Sequence, residues 1–239
     1  MKVNGLPAGD QDMHVHSTYS DGSGTLAENV IAAEHAGLAT LTCVDHVRKD
    51  TGWAPAFAEE VRSLGKGTDL ELRSGLEAKI LDTSGELDLP ADTGGVDRIY
   101  AADHRVPLDD GPADPAAVRL AIERSETDPA TVVESIVTAT ANAVARRPNL
   151  VIAHLFSVLP KIGLDETAVP EGSLQRLAAA AAENGASVEI DERWRCPSTR
   201  TLRAFHAAGV PILLSTDSHS PETIGRYDYC YGVVGELAK

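Results

Sequence analysis

Apolar and polar positions alternate along the chain with two periods, one helical and one extended. Residues 25–35 place Leu26, Val30 and Ala33 at helical spacing, with Gly37 as a stop. Residues 38–44 form a short, β-branched apolar run, which reads as a buried strand. The alternation then continues. Helices are predicted over 56–64, 115–125, 129–146, 173–184 and 197–208, and strands over 69–73, 97–102, 149–153, 186–190 and 210–215. The stretch at residues 12–16 reads as the first strand. Residues 81–96 read as a loop or short hairpin and 107–115 as a turn-rich linker. About seven strand-then-helix units argue for a parallel sheet closed into a barrel, as one domain over residues 1–239.

Composition narrows the functions. With 239 residues the chain is long enough for one sizeable core. A formal net charge of -15 disfavours long nucleic acids, which select a basic face, but not a small phosphorylated ligand. Aromatic residues are 4% of the chain, too sparse for a base-stacking platform. Cys43, Cys196 and Cys230 lie far apart without a CxxC pair, which suits reduced thiols in the cytoplasm. Neither a secretory leader nor an apolar run long enough for a bilayer is evident, so no membrane partner is expected. Oligomeric state leaves no signature.

The chemistry-bearing residues gather at predicted strand ends. His14 and His16 have i, i+2 spacing, so both face one side of a strand, and Asp21 hangs from the Ser-Asp-Gly turn that follows. His46, His104, His154, and Asp217 with His219 each stand where a strand finishes, with Glu77 a lone acid in apolar company. In a parallel barrel those ends form one face, where active sites are built. Of 8 histidines only His35 and His206 fall inside helices. Burying so many imidazoles and carboxylates together is costly unless cations compensate.

The motifs His14-x-His16, Ser20-Asp21-Gly22, Val44-Asp45-His46, Gly75-Leu76-Glu77, Ala153-His154 and Asp217-x-His219, with the strand ending at His104, resemble in order and context those of the PHP (polymerase and histidinol phosphatase) family. Residues 75–90 look most like the stand-alone PHP phosphatases related to the PHP domain of family X DNA polymerases. The resemblance implies an α/β fold, a distorted (β/α)7 TIM-like barrel, with a trinuclear metal centre. It would place His14, His16, Glu77 and Asp217 on one ion. Glu77 would bridge to a second held by His104 and His154, and Asp21, His46 and His219 would hold the third. Some members carry His where Asp21 stands, and many carry Asn near Asp191.

Nitrogen and carboxylate donors without thiolate suit three divalent ions of Zn, Mn or Fe. Ions about 3.5–4 Å apart generate a bridging hydroxide nucleophile and neutralise phosphoryl oxygens, so phosphoester hydrolysis is expected, with Asp21, Asp217 or His219 protonating the leaving group. Arg105, Arg193, Arg195 and Arg226 are candidate phosphate clamps because guanidinium matches phosphate bidentately. Arg193 and Arg195 would both face the cleft if their strand continued. Arg48 and Lys49 read as solvated, and Tyr19 and Trp194 as packing. The expected substrate is a small phosphomonoester such as a nucleotide, sugar phosphate or histidinol phosphate. A phosphodiesterase on cyclic phosphates or short oligonucleotides, acting like a 3'-5' exonuclease, is the alternative, and a catalytically silent metal-stabilised interaction module ranks below both.

Overall fold

The structure, a computed structural model, describes residues 6, 7 and 9–239, so residues 1–5 and 8 of the expected 1–239 domain lie outside the described residues. In chain order the elements are β1 (Gln11–Val15), α1 (Leu26–His35), β2 (Thr40–His46), α2 (Ala54–Leu64), β3 (Glu71–Lys79), β4 (Arg98–Ala102), β5 (Val106–Leu108), β6 (Gly111–Ala113), α3 (Pro115–Glu123), α4 (Pro129–Arg146), β7 (Val151–Ala153), α5 (Glu171–Glu183), β8 (Ser187–Asp191), α6 (Thr199–Ala207), β9 (Ile212–Ser215) and α7 (Tyr229–Leu237). Seven strands pair in parallel in the order β1-β2-β3-β4-β7-β8-β9. This is the barrel-like parallel sheet that the alternation predicts, in the (β/α)7 form that the resemblance implies.

Closure between β1 and β9 is light. A single bridge joins Val15 to Ser218, and the His16 amide donates to the Ser218 carbonyl at 2.8 Å. Asp12, fully buried in β1, does more. Its carboxylate accepts from the Thr216 amide at 3.0 Å, the Thr216 hydroxyl at 2.5 Å and the Gly225 amide at 3.0 Å, clamping the segment after β9 onto β1. Burial pushes the Asp12 pKa up to about 6, against the pull of these donors.

Four helix starts carry side-chain caps. Thr25 and Glu28 form a reciprocal capping box at α1, and Asp114, Asp128 and Ser198 each accept from a first-turn amide of α3, α4 and α6. Residues 107–115 differ from the expected linker. Residues 106–113 fold as the β5–β6 hairpin, turning over Asp109 and Asp110 into Gly111 with φ +122, because Asp-Asp-Gly supplies the tight-turn chemistry, and Asp114 caps α3. The apolar helix α7 was not foreseen, as Gly232 and Gly235 blur its period. No helix among the described residues is long and apolar enough to cross a membrane.

The barrel interior below the site holds Val44, Tyr100, Ala102, Val151 and Ala153. Gly75 makes room there, since a Cβ on it would lie 2.8 Å from the Tyr100 ring. That ring lies 4.9 Å from the His14 ring and forms a floor under it. The Tyr100 phenol donates to the Met13 carbonyl. Tyr100→Phe removes this donor from a buried carbonyl, so denaturant unfolding should show a loss of about 1–3 kcal/mol; unchanged stability would show that the carbonyl finds another partner.

Candidate metal centre

The parallel strands deliver their C-terminal ends to one rim. His14 near the end of β1 and His16 just past it project together, with ring centroids 4.8 Å apart, and both are buried. A register shift in β1 between Asp12 and Val15 re-aims this pair. β2 ends at His46, β3 carries Glu77, the segment after β4 supplies His104, and His154 follows β7. Asp217 and His219 follow β9, and Asp21 hangs from the loop after β1. Gly22 lets that loop wrap closely, since a Cβ there would lie 2.6 Å from the His16 carbonyl.

Glu77 is the centre of the arrangement. His154 Nε2 lies 2.8 Å and His104 Nε2 3.1 Å from its Oε1. His46 Nδ1 lies 2.7 Å, His14 Nε2 3.4 Å and His16 Nε2 3.5 Å from its Oε2. Asp217 Oδ1 approaches His16 Nε2 at 3.0 Å, and Asp21 Oδ1 lies 3.2 Å from His219 Nε2 and 3.5 Å from His46 Nε2. All nine expected side chains therefore meet.

The donors sort into overlapping groups: His16, Asp21, His46 and His219; His14, His16 and Asp217; His46, Glu77 and His104; and His14, Glu189 and Asp191. The grouping differs from the implied sharing. His16 reaches the Asp21 group, His46 joins Glu77 and His104, the His14, His16 and Asp217 group does not include Glu77, and His154 meets Glu77 Oε1 without entering any of the four groups.

A cation fits this set. His14 Nε2, both ring nitrogens of His16 and Glu77 Oε2 are buried without a well-formed hydrogen bond. Burying orphaned polar atoms together costs free energy that a bound cation recovers, and imidazole with carboxylate suits a divalent first-row ion. Burial opposes the charged form of Glu77, but the surrounding imidazoles, His104 and His14 first, hold its carboxyl well below the usual range. Burial lowers His16 to about 4, which keeps the ring neutral and free to donate a lone pair. Burial also opposes protonation of His14 and His154, yet Glu189 beside the first, and Asp103 with Glu77 beside the second, raise both rings well above the ordinary value. An imidazole made basic by an acid behind it is a stronger metal donor.

Several acids support the donors; Glu189 was not singled out from sequence, whereas Asp45 stood in the Val44-Asp45-His46 motif and Asp191 beside a position where relatives carry Asn. Glu189 in β8 faces His14 Nδ1 at 3.2 and 3.3 Å, accepts from the His154 amide at 2.6 Å and from the Ser215 hydroxyl at 2.8 Å. It thus fixes His14 so that Nε2 points inward, and it pins the left-handed turn at His154 (φ +28). Its signal was the same as that of Glu77, a lone acid in an apolar strand. Asp45 holds the Asp21 loop by accepting from the Ser17 amide at 3.0 Å and from the Ser17 and Ser20 hydroxyls at 2.6 and 2.5 Å. Asp103 receives the Ser157 hydroxyl at 2.8 Å. Asp191 accepts from the Trp194 amide at 2.7 Å. Burial, with Asp217 and Glu189 nearby, pushes its pKa well up.

The four arginines separate. Arg193 contacts His219 Nδ1 and lines a cavity of about 390 Å³ together with Asp217, His219 and Arg226. Arg195 does not join it, because β8 ends at Asp191 and the backbone turns left-handed at Arg195 (φ +53), leaving the guanidinium 5.3 Å over the Tyr229 ring. Arg105 pairs with Asp114 at the β5–β6 hairpin. Lys49 pairs with Glu86. Tyr19 packs on Trp53 and Phe57 as expected. Trp194 does more than pack, since its indole N–H donates to Asp217 Oδ2 at 2.9 Å.

No family model matches the chain. A Clostridium acetobutylicum protein named "probable phosphatase" is 27% identical over 223 residues, covering 91% of this chain and 82% of that protein. The histidinol phosphate phosphatase of Lactococcus lactis, solved with zinc, L-histidinol and phosphate, matches with a TM-score of 0.70 at 17% identity over 95% of this chain and 93% of that one. The two chains share this barrel-like fold. In this barrel the histidines and acids gather at the C-terminal strand ends, and Glu189 stands behind His14.

Glu189→Gln keeps the volume but cannot accept from three donors at once. Titration with Zn²⁺ or Mn²⁺ against a competing chelator should show an affinity loss of about 10–100-fold with the fold retained, and an unchanged affinity would remove Glu189 from this role.

Proposed function

We infer that this metal-dependent phosphoesterase is a phosphomonoesterase acting on a small phosphorylated metabolite. The observation that carries the reading is the Glu77 carboxylate faced by five imidazoles, with Asp21, Asp217 and His219 completing a donor set large enough for three divalent ions. The named phosphatase relative and the phosphatase sharing its fold support it. Glu77 would serve two ions through its two oxygens. His14, His16 and Asp217 would complete the first ion's shell, His104 and His154 the second's, and Asp21, His46 and His219 the third's. Bound divalent ions would supply an activated water and charge neutralisation at a phosphoryl group.

The chain's own groups then set the rest. Arg193 and Arg226 share the cavity beside His219, where two guanidinium groups can take phosphoryl oxygens bidentately. Asp21, half exposed and close to His219, is placed to exchange a proton with the departing oxygen at the solvent edge. Asp217 is buried, and although burial opposes it, the neighbouring His16 and His14 hold its pKa low, which suits a permanent anion better than a proton donor. The net charge of -15 disfavours long polyanions at the same site.

Turnover should fall to background in His16→Ala and in Glu77→Ala, with a matching loss of bound metal by elemental analysis; either variant retaining full activity would contradict the assignment. Arg193→Ala should raise KM for p-nitrophenyl phosphate about tenfold with a smaller change in kcat, and unaltered kinetics would return Arg193 to the surface. Bis(p-nitrophenyl) phosphate should be turned over more slowly than the monoester, and the reverse order would favour the diesterase reading.

A further inference from the structure

A second cavity, of about 470 Å³, lies beside the ligand cluster between the segment after β7 and the loop joining β8 to α6. It shares two walls with the centre. Ser157 lines it while lying 3.0 Å from His154 Nδ1, and Trp194 lines it while its N–H holds Asp217. Phe156, Leu159 and Pro160 form an apolar side opposite the indole. Of the four charged groups in its wall, Asp165 accepts from the Thr167 amide, Arg195 lies over the Tyr229 ring, Glu166 accepts from the Ser198 amide and from the Ser198 and Thr201 hydroxyls, and Arg200 donates to the Glu166 and Val169 carbonyls and to Glu171. Those charges are engaged in holding the loops, so the recognition surface left is largely apolar and aromatic.

Two features set this cavity apart from a packing defect. Trp194 remains 38% exposed beside a centre that buries most of its neighbours, and the Lys161 ammonium, with no carboxylate partner among the described residues, rests 4.0 Å above the ring. The Arg193 guanidinium lies farther off, 6.0 Å from the same ring, and a ring covered only by flexible side chains is one that a flat ligand can take over. The backbone is also strained on both sides, with Phe156 at φ +72 and Arg195 at φ +53. Such conformations cost on the order of 1–3 kcal/mol each and persist where the surrounding structure imposes them, often at ligand sites.

We propose that this cavity is the leaving-group subsite and that it selects phosphomonoesters whose alcohol bears a planar ring, stacked on Trp194, over esters of short open-chain alcohols. The proposal rests on the phosphatase reading above. It divides the rim into two unlike halves. The arginine-lined cavity receives phosphoryl oxygens, and the apolar one receives the group that departs. An open-chain alcohol fills little of the second cavity and so leaves its binding energy unused.

The first test needs no turnover. The chain has 2 tryptophans, so in Trp53→Phe the emission reports Trp194 alone. Adenosine, as a ring-bearing probe without phosphate, should quench it saturably and glycerol should not. Thr167→Phe, which fills the cavity from its exposed rim, should weaken the quench. The same substitution should lower kcat/KM for phenyl phosphate about tenfold more than for glycerol phosphate. Absence of quenching, or equal effects of Thr167→Phe on both esters in an enzyme that hydrolyses them, would overturn the subsite alone. A metal-loaded protein that hydrolyses neither ester would overturn the phosphatase reading, and the subsite with it.

Discussion

A carboxylate sealed from water among imidazoles is the constraint on which the molecule depends. Glu77 sits at the geometric middle of five histidines drawn from four separate strand ends, and it is 1% exposed. A buried charge is tolerated only when it is paired and hydrogen-bonded. Several of its neighbours are orphaned by protein partners alone, so the cluster is built for positive charge from outside the chain. The barrel pays for this cluster with a second ring of acids behind it, in which Glu189, Asp12, Asp45 and Asp103 each restrain a donor or the loop that carries one.

Connectivity explains how distant residues meet. Every strand of the main sheet runs parallel, so each loop that follows a strand emerges on the same rim. The β1–β9 seam is held by one bridge, by the Asp12 clamp, by the Ser23 amide and hydroxyl donating to the His219 carbonyl, and by the Tyr227 hydroxyl donating to the Gln11 carbonyl. His14 and His16 stand on one side of that seam, and Asp217 and His219 on the other. Closing the barrel and assembling the centre are therefore the same event, which makes cation binding and fold stability mutually reinforcing.

Much of this was legible in the chain itself. His14 and His16 could be placed on one face because strands have a period of two, and strand ends were visible as apolar runs halted by Asp or His. What escaped the sequence was what depends on a third element. Glu189 carried the same signal as Glu77, a lone acid in an apolar strand, but its role depends on three donors from β1, β9 and the turn after β7 that no local pattern announces. The i, i+2 argument for Arg193 and Arg195 failed because Asp191 ends the strand and pairs with Cys196, so the loop reverses before the second arginine. Trp194 read as packing because nothing in its neighbours announces a bond to Asp217, which is 23 residues away.

The most direct test is anomalous diffraction from crystals of the protein loaded with Mn²⁺ or Zn²⁺. The account predicts strong peaks confined to the space bounded by Glu77, His16, His104 and Asp217, three at full loading, with Glu77 shared between two of them. No peak there after loading, or peaks only on the acidic outer surface, would contradict it.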